Sequence, residues 1–111
     1  MNIEMTPENL LVQLGYPVKE ATLAQMERII ANTPGFEKFA KHLLTLNDEV
    51  KRFGGIVALS NSKDHLKVKS DATTEEEIAA FTDYVTQWAE KYKVALEKVE
   101  GKNTYYILGH Q

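Results

Sequence analysis

The chain has 111 residues, 43% of them hydrophobic and 26% charged, with a net charge of −3; this is the signature of one globular domain around one core, not of a disordered, collagen-like or membrane-spanning chain. With no cysteine, it has no disulfide, thiolate metal site, iron–sulfur cluster or cysteine nucleophile. The opening MNIEMTPEN has neither a basic start nor an apolar run, and aliphatic runs are as short as Ile56-Val57-Ala58-Leu59, so no secretory signal or span is read and a soluble, cytoplasmic protein is expected.

In chain order, Thr6-Pro7-Glu8 supplies an N-cap, a proline at the first helical position and an acid in the first turn, predicting a short helix near 7–14 that Gly15 and Pro17 stop. Thr22 and Gln25 read as a capping box for a second helix near 23–32, with Leu23, Met26, Ile29 and Ile30 as its apolar stripe and Asn32-Thr33-Pro34-Gly35 as its end. Phe36, Phe39, Leu43, Leu46, Val50 and Phe53 then recur at helical spacing, and Gly54-Gly55 offers a left-handed stop. GIVALSN and HLKVKS, around Ser62-Lys63-Asp64, read as a hairpin.

Thr74 and Glu77 form a further capping box, and Glu75, Glu76 and Glu77 fill the first turn, where the helix dipole favours acids. Ile78, Phe81, Val85, Trp88 and Tyr92 extend that helix over about 75–92. The tail VALEKVEGKNTYYILG reads as a second hairpin around Gly101-Lys102-Asn103. Shifting the chain by 39 positions lays Phe53 on Tyr92, Leu66 on Tyr105, Val68 on Ile107 and Lys63 on Lys102. Identities across the shift are at chance level, so the repetition is of architecture and not of sequence.

The expected fold is therefore α+β: a two-layer sandwich in which two long helices cover one face of a four-stranded, mainly antiparallel sheet of two hairpins. Residues 1–111 form a single domain, with residues 1–34 as an N-terminal helical cover and residues 35–111 as a twofold helix–hairpin unit.

Catalytic and metal motifs are missing from this pattern. Gly54-Gly55 follows a helix and precedes a strand, the reverse of a phosphate-binding loop, and no serine sits in a nucleophile elbow. His42, His65 and His110 fall in different elements without metal-ligand spacing, and His42 reads as a core-edge residue. The adjacent glutamates read as capping and solubility. A helix-turn-helix reading of residues 7–32 has the turn but lacks the basic charge that DNA requires. The stripes of the long helices are too short for a coiled coil and are needed to cover the sheet. No enzyme, metal or cofactor is expected.

One stretch stands out. In KDHLKVKSD, residues 63–71, Lys63, His65, Lys67 and Lys69 occupy alternate positions. With Leu66 and Val68 turned to the helices, this row lies on the open side of the sheet, because burying unpaired lysines costs far more than exposing two aliphatics. Residues 50–70 carry Lys51, Arg52, Lys63, Lys67 and Lys69 against Asp64, whereas residues 71–90 carry only acids. Tyr105 and Tyr106 point to opposite faces, so one of them joins the open side. A basic row beside an aromatic is the physical arrangement on which single-stranded nucleic acid is held; lysines on a wet strand also simply prevent edge association.

The sequence thus gives a non-catalytic binding module, for protein in the first place, with a homodimer through apolar surface on the first two helices left open. The alternative is nucleic-acid or polyanion binding through Lys63, His65, Lys67, Lys69, Tyr105 and Tyr106.

Overall fold

The computed structural model describes residues 6–60 and 63–111; Ser62 of the predicted turn lies outside them. The elements run α1 (Pro7–Gln13), α2 (Glu20–Ala31), α3 (Phe36–Val50), a single 3₁₀ turn (Lys51–Phe53), β1 (Gly55–Leu59), β2 (Leu66–Ser70), α4 (Glu75–Tyr92), β3 (Val94–Lys98) and β4 (Thr104–His110). All strand pairs are antiparallel, in the order β1-β2-β4-β3. The α+β sandwich read from the sequence is the fold observed.

Local chemistry explains most boundaries. Thr6 Oγ1 accepts from Asn9 N at 3.2 Å to open α1, and Thr74 Oγ1 accepts from Glu77 N at 3.2 Å while donating to Glu77 Oε1 at 2.9 Å to open α4. The start of α2 differs from expectation. Its N-cap is Lys19, and Thr22 sits inside the first turn, where its hydroxyl accepts from Lys19 N at 3.0 Å. Gln25, freed from capping, donates instead to Ser60 O at 2.9 Å. The stripe of α3 also stops short of Phe53, which the 3₁₀ turn carries before Gly54 turns left-handed at φ 69°.

The core is one cluster drawn from every α-helix and strand, with Leu10, Leu11, Met26, Ile29, Phe39, Leu43, Leu46, Phe81, Leu66 and Ile107 shut off from solvent. Each such side chain contributes roughly 1.5–3 kcal/mol by leaving water. Along β2 and β4 burial alternates, with Leu66, Val68, Tyr105 and Ile107 turned to the helices.

The halves of the sheet repeat each other closely. The bounds of β1 (Gly55–Leu59) and β3 (Val94–Lys98) differ by 39 positions at both ends, and the two central strands pair Leu66 with Ile107, Lys67 with Tyr106 and Val68 with Tyr105. Because Leu66 and Tyr105 are equivalent under that shift, as are Val68 and Ile107, these pairs exchange with one another. An approximate twofold axis perpendicular to the sheet thus passes through the Lys67–Tyr106 pair. The β3–β4 pair departs from this symmetry by a register shift between Ala95 and Leu96 that β1–β2 lacks, and α1 and α2 depart from it by attaching beside β1: Tyr16 Oη accepts from Leu59 N at 3.1 Å.

Candidate functional site

With both long helices on one face, the other face of the sheet is left to solvent. One row across it runs Ala58, Lys67, Tyr106, Glu97 from β1 to β3; the next holds Ile56, Lys69 and Thr104. Lys67, Lys69 and Tyr106 are half-buried, so their stems cover the sheet while their polar ends reach water.

The row of four predicted basic residues is divided in the fold. Lys63 reaches across the sheet, its Nζ 3.0 Å from Glu97 Oε1 and 4.8 Å from the centre of the Tyr106 ring. Its charge is therefore matched locally. His65 turns toward α2 and lines a hollow of about 460 Å³ with Gln25, Arg28, Asn32, Ser60, Lys63 and Asp64. There Arg28 Nε lies 3.6 Å from Asp64 Oδ1, and Asn32 Nδ2 donates to Asp64 O at 3.1 Å. The groups a recognition helix would offer to DNA, Gln25, Arg28 and Asn32, are thus engaged by the β1–β2 hairpin. His65 Nδ1 is buried with no hydrogen-bond partner among the described residues.

Lys67 and Lys69 remain together. Both line a second hollow of about 430 Å³, which Ser70, Asp71, Val99, Lys102, Asn103, Thr104 and Tyr106 complete. Neither Lys67, Lys69 nor Lys102 is in an ion pair with any described residue. Three lysines, one aspartate, an asparagine and hydroxyl-bearing side chains therefore line one concave space. Such a set matches the oxygens of an anion, since ammonium groups only donate and are strongly hydrated until an anion replaces their water.

The two tyrosines separate as their parity requires. Tyr106 stands on the open face, whereas Tyr105 is buried against the Phe81 ring, with centroids 6.3 Å apart, and belongs to the core. Tyr105 is therefore removed from the candidate face. Lys102 and Asn103 are gained there; they lie in the β3–β4 turn, which the sequence placed only as a turn. The symmetry relation could have found Lys102, since it is the counterpart of Lys63: one lysine flanks Tyr106, the other flanks Lys67.

Elsewhere, His42 stacks on Tyr92, ring centres 3.8 Å apart, at the outer edge of the helix layer. Burial, with Lys41 and Lys91 nearby, holds its pKa below the ordinary value. Among the described residues no group of three or more His, Asp or Glu is placed to hold a metal ion, and no helix is long and apolar enough to cross a membrane. No protein-family model, curated protein or solved structure matches the chain.

Proposed function

We propose that the chain is a non-catalytic binding module, soluble and cytoplasmic, whose open sheet face takes an anionic chain, with single-stranded nucleic acid as the first candidate. The observation that supports it is the convergence of Lys67, Lys69 and Lys102, none of them ion-paired among the described residues, on one hollow beside Tyr106. Lysines on a strand that serve only to keep an edge apart have no need to converge, and β2 is a central strand. Phosphates would sit among the ammonium groups and a base would lie against Tyr106, whose other neighbour is Lys63.

A protein partner is the second reading. Ile56, 42% exposed, lies on the same face directly beside Lys69, so an acidic segment with one apolar side chain would also find matching groups there.

Titration of isotope-labelled protein with a short single-stranded RNA, at low and moderate salt, tests the proposal. Shifts confined to residues 67–71 and 102–106, weakening as salt rises and lost in the Lys67→Glu, Lys69→Glu double variant, are expected. No shifts at either salt would overturn it. An acidic peptide that binds the same residues when RNA does not would move the assignment to a protein partner.

A further inference from the structure

The outer edges of the sheet are equivalent by the internal symmetry, yet only one of them is closed. On β1, Asn47 Oδ1 accepts from Val57 N at 3.0 Å and Tyr16 Oη accepts from Leu59 N at 3.1 Å, so two outward amides of that edge are satisfied, one by α3 and one by the segment after α1. The counterparts of Val57 and Leu59 on β3 are Leu96 and Lys98. Val99 N donates to Thr104 O and Gln111 N to Lys93 O, at 2.9 and 2.7 Å; odd-numbered positions therefore bond to β4 and the amides of Val94, Leu96 and Lys98 face outward. Thr86, the counterpart of Asn47, donates its hydroxyl to Thr82 O and Asp83 O along its own helix. No described residue closes this edge.

A groove of about 290 Å³ runs along it, lined by Thr86, Ala89, Glu90, Val94, Leu96 and Gln111. We propose that this edge is the interface with a second copy of the chain, β3 pairing antiparallel with β3 about Leu96. In antiparallel pairing between copies related by a twofold axis, only outward-facing positions can exchange hydrogen bonds. Pairing about Lys98 or Glu97 would oppose two like charges, and pairing about Val94 or Ala95 would run Leu96 or Lys98 off the strand onto Tyr92. Pairing about Leu96 sets Leu96 against its own copy and places Lys98 of each chain opposite Val94 of the other. Lys98 and Val94 share the helix-side face, and Glu90 lines the groove beside Val94. Each Lys98 ammonium, which in the single chain donates to Lys102 O at 3.1 Å, then turns to the other copy's Glu90 carboxylate, and the contact is made twice.

Glu97 does not obstruct this pairing, because it lies on the open face and is held by Lys63. The first two helices offer less: their large apolar side chains Leu10, Leu11, Met26 and Ile29 are buried, and Val12 and Val18 remain exposed on separate segments. The resulting sheet is continuous across both copies, with its two basic faces on one side. The inference is independent of what those faces bind.

Sedimentation analysis of the whole chain from micromolar to near-millimolar concentration tests the assignment. A reversible dimer is expected; Lys98→Glu or Glu90→Lys alone should weaken it about tenfold or more by placing like charges together, and the two combined should restore it. Both residues are exposed, so circular dichroism should show an unchanged fold in each variant. A monomer throughout the range would overturn the proposal. So would a dimer indifferent to both reversals, and one that Val12→Glu breaks instead would place the interface on the N-terminal helices.

Discussion

Lys67 and Tyr106 stand 39 positions apart in the chain and face each other across the central strand pair. They are the same position in the two halves of the sheet, so the twofold relation brings a cation from one half against an aromatic ring from the other. On the helix side the halves stay alike, with Leu66 and Val68 matched by Tyr105 and Ile107, all buried. Packing demands this, because an apolar layer must cover the same helices from both halves. On the open side the halves diverge at Lys67 and Tyr106, where packing imposes no such demand.

That divergence concentrates free positive charge in one hollow, and the charge can be counted by salt. If phosphates replace counterions around Lys67, Lys69 and Lys102, each lysine adds roughly 0.7 to the slope of log affinity against log salt for a single strand. Lys102→Ala should lower the slope by about that amount and weaken binding of all sequences alike. Anisotropy titrations at several salt concentrations measure it. A slope unaltered by Lys102→Ala would remove the β3–β4 turn from the face.

The symmetry also exposes a backbone position that one half manages better than the other. Gly54 and Lys93 are counterparts, and both end a helical segment in the left-handed region, at φ 69° and 56°. Glycine adopts that conformation without strain, whereas a side-chain-bearing residue is penalised. Lys93 is exposed, so nothing is lost by removing its side chain. Lys93→Gly should raise stability by about 0.5–1 kcal/mol after the greater freedom of glycine in the unfolded chain is subtracted. Urea unfolding should show a higher midpoint with an unchanged slope.

Asn47 is a polar residue inside the apolar stripe of α3, 4% exposed, and its carboxamide oxygen closes the β1 edge at Val57 N. Asn47→Ala leaves that amide buried without an acceptor, at a cost of about 1–3 kcal/mol. Asn47→Asp keeps an acceptor at the same place and should retain more of the stability than alanine does. Chemical denaturation of the two variants checks the order. Equal losses would mean that the side chain matters for its packing and not for the edge.

Helices 3 and 4 were legible because their apolar residues repeat at helical spacing, and a sheet facing them was legible because each hairpin needs one covered face. What the sequence could not rank was which tyrosine of the Tyr105-Tyr106 pair faces water. Alternation states only that they differ; the choice follows from the pairing of Val68 with Tyr105, which is set between strands distant in the chain. The same holds for Lys102, a turn residue that joins Lys67 and Lys69 only through that pairing. Thr22 was misread as an N-cap for a different reason: its hydroxyl can serve either end of a capping interaction, and here it accepts from the amide of Lys19. Asn47 gave no signal as an edge cap because its partner lies on another element.

His42 provides a pH-dependent test of the helix layer. Its pKa is lowered by burial and by Lys41 and Lys91, while its ring stacks on Tyr92 and its backbone carbonyl accepts from Trp88 Nε1 at 3.1 Å. A lowered folded-state pKa means that the unfolded chain takes up the proton first as pH falls below about 6.5. Stability contributed by neutral His42 is thus full above that pH and declines between it and the lower folded-state pKa, beneath which no further loss comes from this residue. Denaturation midpoints measured at small pH intervals from 7.5 downward should fall in that window, and His42→Gln should flatten the fall while leaving any loss from carboxylates at lower pH. Proton titration of the His42 ring by NMR should place its midpoint below 6.5; a midpoint at that value would remove the pH dependence, and one above it would reverse the sign and show that the stacked ring is held in its charged form.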